Sequence, residues 1–160
     1  MTQTADPAAR PARGGGIVWE APDGDHPARR ASQRSYAAAV AGDLEAWLAA
    51  YAPDAVVEDP VGPSMFDPEG LGHRGHEGMT AFWHAAIATV DEFTFTVRDS
   101  HANGDTCANV GTITTRFADG TVVDTDLVMI YQVREDGLIT SMRAVWEPER
   151  AMATARKEPR

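Results

Sequence analysis

The chain has 160 residues, 43% of them hydrophobic, and a formal net charge of −10 at pH 7. This length and apolar content predict a single globular domain whose core is large enough to fold alone. The acidic excess excludes nucleic acid and anionic membrane surfaces as expected partners, because like charges repel.

The chain contains a single cysteine, Cys107, so an intramolecular disulfide is impossible. No apolar run approaches the length of a membrane span, and the first residues lack the apolar core of a secretory signal. We therefore expect a protein of the cytoplasm, where cysteines stay reduced.

Residues 1–28 are rich in Ala, Pro, Arg, Gly and Asp and have no hydrophobic periodicity. Such a composition is typical of a disordered or loosely packed segment. We predict one domain over residues 29–148, followed by a C-terminal tail over residues 149–160.

The first half of this domain has the hydrophobic period of helices. Good helix formers predict one helix over residues 31–41, and apolar residues at three- and four-residue spacing predict others from residue 44 and over residues 77–88. Gly42 is suited to end the first helix, and Asp43 to cap the second.

A short apolar strand over residues 55–58 leads to Asp59, and Pro60 ends the strand because proline cannot donate a ladder hydrogen bond. A carboxylate at this position can point into the same interior as the apolar residues before it. Burial would then raise its pKa, which suits it to proton transfer at neutral pH.

The second half changes to the two-residue period of strands. Alternation predicts strands over residues 93–98, 106–117, 121–133 and 138–147, and Asn-Gly or Asp-Gly pairs mark the turns between them. Helices followed by an antiparallel meander predict an α+β fold, with the helices packed on one face of a curved sheet.

Several motifs occur in an order and at intervals that resemble the ketosteroid isomerase-like branch of the nuclear transport factor 2-like superfamily, which includes the SnoaL-like polyketide cyclases. These motifs are Gly42-Asp-Leu-Glu45, Tyr51-Ala-Pro-Asp-Ala55, Val57-Glu-Asp-Pro-Val-Gly62, Gly75-His-Glu77, Ala81-Phe-Trp83 and Gly137 to Trp146. The resemblance implies a cone-shaped fold, with three N-terminal helices packed on a strongly curved, mostly antiparallel sheet. It also implies a homodimer formed through the outer face of the sheet.

By this resemblance Asp59 falls on the catalytic base of the family. The two oxyanion donors of the family fall on Ser35 and Met129. The candidate substitutes are Tyr36, Trp83 through its indole N–H, and Asp126 if a β-bulge turns it inward. Three aromatic residues complete the expected ligand pocket. They are Tyr51, Trp83 and Trp146.

The resemblance implies an isomerase-like enzyme that acts on a hydrophobic carbonyl compound, a steroid or polyketide, by acid/base proton transfer without a cofactor. One alternative is an epoxide hydrolase or ether cyclase, which needs a second acid such as Asp126 or Asp124. Another is a steroid- or lipid-binding protein without turnover. We expect no metal site, because His73 and His76 lie in a glycine-containing loop without the pattern of a zinc protease.

Overall fold

The structure, a computed structural model, describes residues 14–159. It contains four α-helices and a short 3-10 helix, Ile87–Thr89, in this part of the chain. The α-helices are α1 (Pro27–Ala41), α2 (Leu44–Ala49), α3 (Gly75–Ala85) and α4 (Pro148–Met152).

The boundaries of α1 and α2 follow from local chemistry. The Nδ1 atom of His26 accepts a hydrogen bond from the Ala28 amide at 3.1 Å, and Pro27 occupies the first turn, where its missing N–H is not needed. Gly42 adopts a φ of 67° and ends α1. The Asp43 carboxylate then accepts from the Ala46 amide at 3.0 Å and caps α2, as predicted.

The described residues form a sheet of eight strands. In chain order these are β1 (Gly15–Trp19), β2 (Tyr51–Glu58), β3 (His73–Arg74), β4 (Glu92–Asn103), β5 (Thr106–Arg116), β6 (Thr121–Val133), β7 (Ile139–Val145) and β8 (Arg156–Lys157). The spatial order is β1-β4-β5-β6-β7-β2-β3, with β8 paired to the beginning of β6. The pairs β1–β4 and β2–β7 are parallel and the remaining pairs antiparallel, which confirms the predicted α+β fold with a mostly antiparallel sheet.

Two segments predicted as tails contain regular structure, which corrects that prediction for the residues described. Gly15–Trp19 is a parallel edge strand on β4, and Pro148–Met152 and Arg156–Lys157 form α4 and β8. Both segments owe their structure to distant partners, because β1 pairs with β4 and β8 pairs with Thr121 and Val122. Residues 1–13 of the predicted N-terminal segment lie outside the described residues.

The concave face of the sheet and helices α1 to α3 enclose one hydrophobic core. Its largest fully buried side chains include Tyr36, Tyr51, Tyr131 and Met79. No helix among residues 14–159 is both long enough and apolar enough to cross a membrane.

Candidate active site

An apolar cavity of about 280 Å³ opens at one end of the concave face. Helix α3 and the 3-10 helix form one side through Phe82 and Ile87, and strands β5 and β6 form the opposite side through Ile113 and Leu127. α4 closes part of the rim with Ala151 and Met152. A cavity with mostly apolar walls and few polar groups is typical of sites for small hydrophobic ligands.

Asp59 is the only ionisable side chain among the described residues that line this cavity. It follows the inward-facing Ala55 and Val57 of β2, both completely buried, so two-residue alternation places its carboxyl group on the interior side. This placement agrees with the orientation expected from the strand pattern.

Trp146 holds the carboxyl group in place. Its indole Nε1 donates a hydrogen bond of 2.6 Å to Oδ1 of Asp59, and Trp146 itself lines the cavity. Burial raises the pKa of Asp59 to about 6, although the hydrogen bond from Trp146 acts in the opposite direction. The site therefore contains a carboxyl group that gains or loses a proton near neutral pH.

A loop over residues 62–72 covers the cavity. The Asp67 carboxylate accepts hydrogen bonds from the amides of Leu71 at 3.2 Å and Gly72 at 2.7 Å, which closes the loop on itself. Phe66 lines the cavity from this loop and meets the Phe82 ring edge-on, with centroids 5.9 Å apart. Asp67 thus fixes the segment that presents an aromatic wall to the ligand.

Tyr51 lies deeper in the core and is almost completely buried. Its hydroxyl group forms a hydrogen bond of 2.9 Å with the Ser35 hydroxyl. Burial raises the pKa of Tyr51 above its usual value, with a further contribution from the negative charge of Asp59, so the hydroxyl stays protonated. Tyr51 is therefore a neutral hydrogen-bond donor within electrostatic range of the carboxylate.

Tyr36 and Trp83 are core residues that do not line the cavity. The Tyr36 hydroxyl accepts a hydrogen bond of 2.8 Å from Asn109, and its ring stacks on Phe95 with centroids 4.6 Å apart. Trp83 packs against Trp47, with centroids 5.3 Å apart. Sequence position alone selected both residues, but their side chains are used for packing.

Asp126 does not turn into the interior, which corrects its selection as a ligand contact. Its side chain is 50% exposed, and Oδ1 accepts a hydrogen bond of 2.6 Å from Thr112. The pairing of β5 with β6 continues through Asp126 without a shift in register, so no bulge rotates this residue. Asp124 also lies outside the cavity lining, where it accepts from Thr114 at 2.7 Å and pairs with Arg156.

Met129 faces the interior and is buried, although the cavity lining on β6 ends at Leu127. Two residues further along the same face of β6 lies Tyr131, which the sequence analysis did not select. Burial raises the pKa of Tyr131 well above its usual value, and the neighbouring Tyr36 and Tyr51 and the charge of Asp59 add to this effect. The only available sequence signal was its alternation with Leu127 and Met129.

Comparison with known proteins identifies the family. Residues 32–142 match the SnoaL-like domain. A curated steroid Delta-isomerase of Nocardioides simplex is 38% identical over 122 residues, which cover 74% of this chain and 89% of that protein.

Solved structures have the same fold. The Delta 5-3-ketosteroid isomerase from Mycobacterium sp. is 32% identical, covers 84% of this chain over its own full length, and superposes with a TM-score of 0.74. RV0760c from Mycobacterium tuberculosis, solved in complex with estradiol-17beta-hemisuccinate, is 34% identical over 82% of this chain and 99% of its own, with a TM-score of 0.73. The chain therefore belongs to the SnoaL-like family of the nuclear transport factor 2-like superfamily.

Proposed function

We propose that the protein binds a planar hydrophobic carbonyl compound, of steroid or polyketide type, and that Asp59 transfers a proton to and from the carbon next to the carbonyl group. No cofactor takes part in this reaction. The observation that carries the proposal is the Asp59 carboxyl group at the wall of an apolar cavity, with a pKa of about 6. At pH 7 most molecules then hold a base that is stronger than an exposed aspartate.

The hydrogen bond from Trp146 gives the two carboxylate oxygens different roles. Oδ1 is held by the indole N–H, while no hydrogen bond to Oδ2 is present among the described residues. Oδ2 is therefore the oxygen that would remove the proton, and the fixed Oδ1 keeps it aimed into the cavity. A protonated Asp59 could return the proton to another carbon of the same ligand, which completes an isomerisation.

The site is less well equipped to stabilise the negative charge that develops on the carbonyl oxygen of the ligand than to remove its proton. Ser35 and Met129 occupy the family's donor positions, and neither lines the cavity. The hydroxyl donors that line the cavity belong to Thr89, Thr115, Thr121 and Thr125. Tyr51, supported by Ser35, and Tyr131 are neutral donors buried outside the lining. Loss of one good oxyanion donor typically costs about 2.7–4 kcal/mol of transition-state stabilisation. We therefore expect slow turnover of a Δ5-3-ketosteroid.

Relatives support the ligand class. The steroid Delta-isomerase of Nocardioides simplex and the complex of RV0760c with an estradiol ester both point to a flat, polycyclic ligand. A second candidate is a steroid-binding protein without turnover. It would bind the same class of ligand, and it is favoured because Ser35 and Met129, at the family's donor positions, do not contact the cavity. The epoxide hydrolase alternative lacks support, since neither Asp124 nor Asp126 reaches the cavity.

Proton exchange on a bound ligand tests the proposal directly. A steroid enone incubated in D₂O exchanges its activated hydrogens when Asp59 removes them, and NMR detects this even without net isomerisation. We expect Asp59→Asn to slow exchange about 100-fold or more, while ligand affinity stays within a small factor. The rate for the wild type should rise with pH, with its midpoint near pH 6, and should level off at higher pH once Asp59 has lost its proton.

Asp126→Asn is the matched control, because it removes a carboxylate of the same chain that lies outside the cavity. This variant should exchange the activated hydrogens of the ligand at the wild-type rate. Exchange that survives in Asp59→Asn would refute the base, and binding without any exchange in the wild type would favour the steroid-binding protein. The homodimer and the cytoplasmic location remain predictions that sedimentation and fractionation can check.

A further inference from the structure

Arg29 is the one arginine or lysine side chain that is buried in the part of the chain that the structure describes. It is the third residue of α1, and only 9% of its surface is exposed. A guanidinium group stays protonated in folded proteins. The fold thus retains a permanent positive charge at this position.

The hydrogen-bond partners of Arg29 are all neutral. Nε donates to the Ser100 hydroxyl at 2.9 Å, Nη2 donates to the Ser100 carbonyl at 3.3 Å, and Nη1 donates to the Gly24 carbonyl. These bonds use three of the five N–H groups of a guanidinium. Among the described residues, no carboxylate forms an ion pair with it.

This arrangement is energetically incomplete. A buried charge without a counter-charge is strongly unfavourable, and the positive end of the α1 dipole adds to the cost. The chain does not lack acids, since its net charge is −10. The two acids closest in sequence to Arg29 and Ser100 have other partners, because Asp25 pairs with Arg30, and Asp99 pairs with His101 at 3.1 Å.

A surface hollow of about 490 Å³ is lined in part by Arg29. Its lining includes Arg29, Ser100, His101 and Asn103, whose side chains all carry hydrogen-bond donors. It shares no lining residue with the apolar cavity. Two acidic groups adjoin its lining residues, and both have partners within the protein. Asp99 is hydrogen-bonded to His101 at 3.1 Å, and Asp105 accepts from Thr106 at 2.8 Å.

We propose that this hollow binds a small oxyanion, a carboxylate or a phosphate, through the free N–H groups of Arg29. The planar guanidinium group can bind a carboxylate or a phosphate, because it offers parallel N–H donors to two oxygens of either anion. The ligand would supply the counter-charge that the described residues do not provide. This site is independent of the function proposed for Asp59.

Thermal unfolding of the full chain tests the site, with inorganic phosphate and acetate as probes and sodium chloride at matched ionic strength as the reference. Binding to the folded state alone should raise Tm in a saturable way, by about 3 °C or more at ten times Kd. The response to acetate or to phosphate identifies the oxyanion, and calorimetry should give the same Kd.

Arg29→Met should abolish this saturable rise, whereas Arg30→Met, which changes the exposed neighbour, should keep it. If Arg29→Met does not fold, Arg29→Lys keeps the charge but loses the fork, and should bind at least tenfold more weakly. An equal rise in both arginine variants, or no rise beyond that in chloride, would overturn the proposal. A Tm that depends on protein concentration but not on these anions would also overturn it, since a second copy would then supply the counter-charge.

Discussion

The carboxyl group of Asp59 destabilises the folded protein at the pH where it can act as a base. Burial raises its pKa from 3.8 to about 6, so the folded state binds the proton more tightly than the unfolded chain. The resulting contribution to stability is complete below about pH 3.8 and is lost as the pH rises through about 6. Above that range the buried charge costs up to about 3 kcal/mol relative to the acid limit.

Asp59→Asn should therefore be more stable than the wild type at pH 8 and nearly equal to it near pH 4. The amide keeps the shape and can still accept the hydrogen bond from Trp146, but it carries no charge. Urea unfolding at both pH values measures the difference in free energy, with Asp126→Asn as the exposed control. A variant that is less stable than the wild type at pH 8 would contradict the buried charge.

At the scale of single residues, the sequence predicted the cavity contacts that depend on strand ends. Asp59 follows two inward-facing residues of β2, so strand alternation and the family pattern agree for it, whereas Trp146, which follows β7, was selected by the family pattern. Four other predicted ligand contacts do not line the cavity, because a family position fixes the backbone and not the direction of the side chain. They are Tyr36, Tyr51, Trp83 and Met129. The prediction that Asp126 contacts the ligand was wrong. Its position on the outer face follows from the unbroken register between β5 and β6, which is seen only once the strands are paired.

At the scale of elements, the loop over residues 62–72 connects local hydrogen bonding to ligand binding. Asp67→Ala removes the acceptors for the amides of Leu71 and Gly72 and should release Phe66 from the cavity wall. We expect the Kd of a planar apolar ligand to rise about tenfold, because the ligand loses its contact with the Phe66 ring. Tryptophan fluorescence titration measures the affinity.

Glu69→Gln is the control for this loop, because Glu69 is exposed and its carboxylate accepts no hydrogen bond within the described residues. Its affinity should match that of the wild type. If Asp67→Ala binds as tightly as Glu69→Gln, the loop does not shape the cavity.

Element boundaries were predictable wherever the signal was local. The caps at Gly42 and Asp43 and the turns at Gly104, Gly120 and Gly137 were found because each needs a particular residue at a particular position. Strand β1 was missed because its stability comes from parallel pairing with β4, which is distant in sequence and leaves no periodic pattern in five residues.

At the scale of the whole molecule, the two terminal segments support different parts of the fold. β1 pairs with β4 along Gly15–Trp19 at the edge of the sheet, and none of its residues lines the apolar cavity. α4 lies at the cavity rim, and Thr154 ties it to β6 by accepting from the Asp124 amide at 2.8 Å. One segment thus protects an edge of the sheet, and the other closes the ligand site.

Two deletions should separate these roles. Removal of residues 1–20 should lower Tm, because the ladder hydrogen bonds on β4 are lost, but the folded fraction should bind a planar apolar ligand with unchanged Kd. Removal of residues 148–160 takes Ala151 and Met152 from the rim and should raise Kd about tenfold, since less apolar surface is buried on binding. Deletion of residues 1–13 is the control for the first variant. Equal Kd values for the two longer deletions would show that α4 has no part in the site, and an unchanged Tm after removal of residues 1–20 would show that β1 adds little to the sheet.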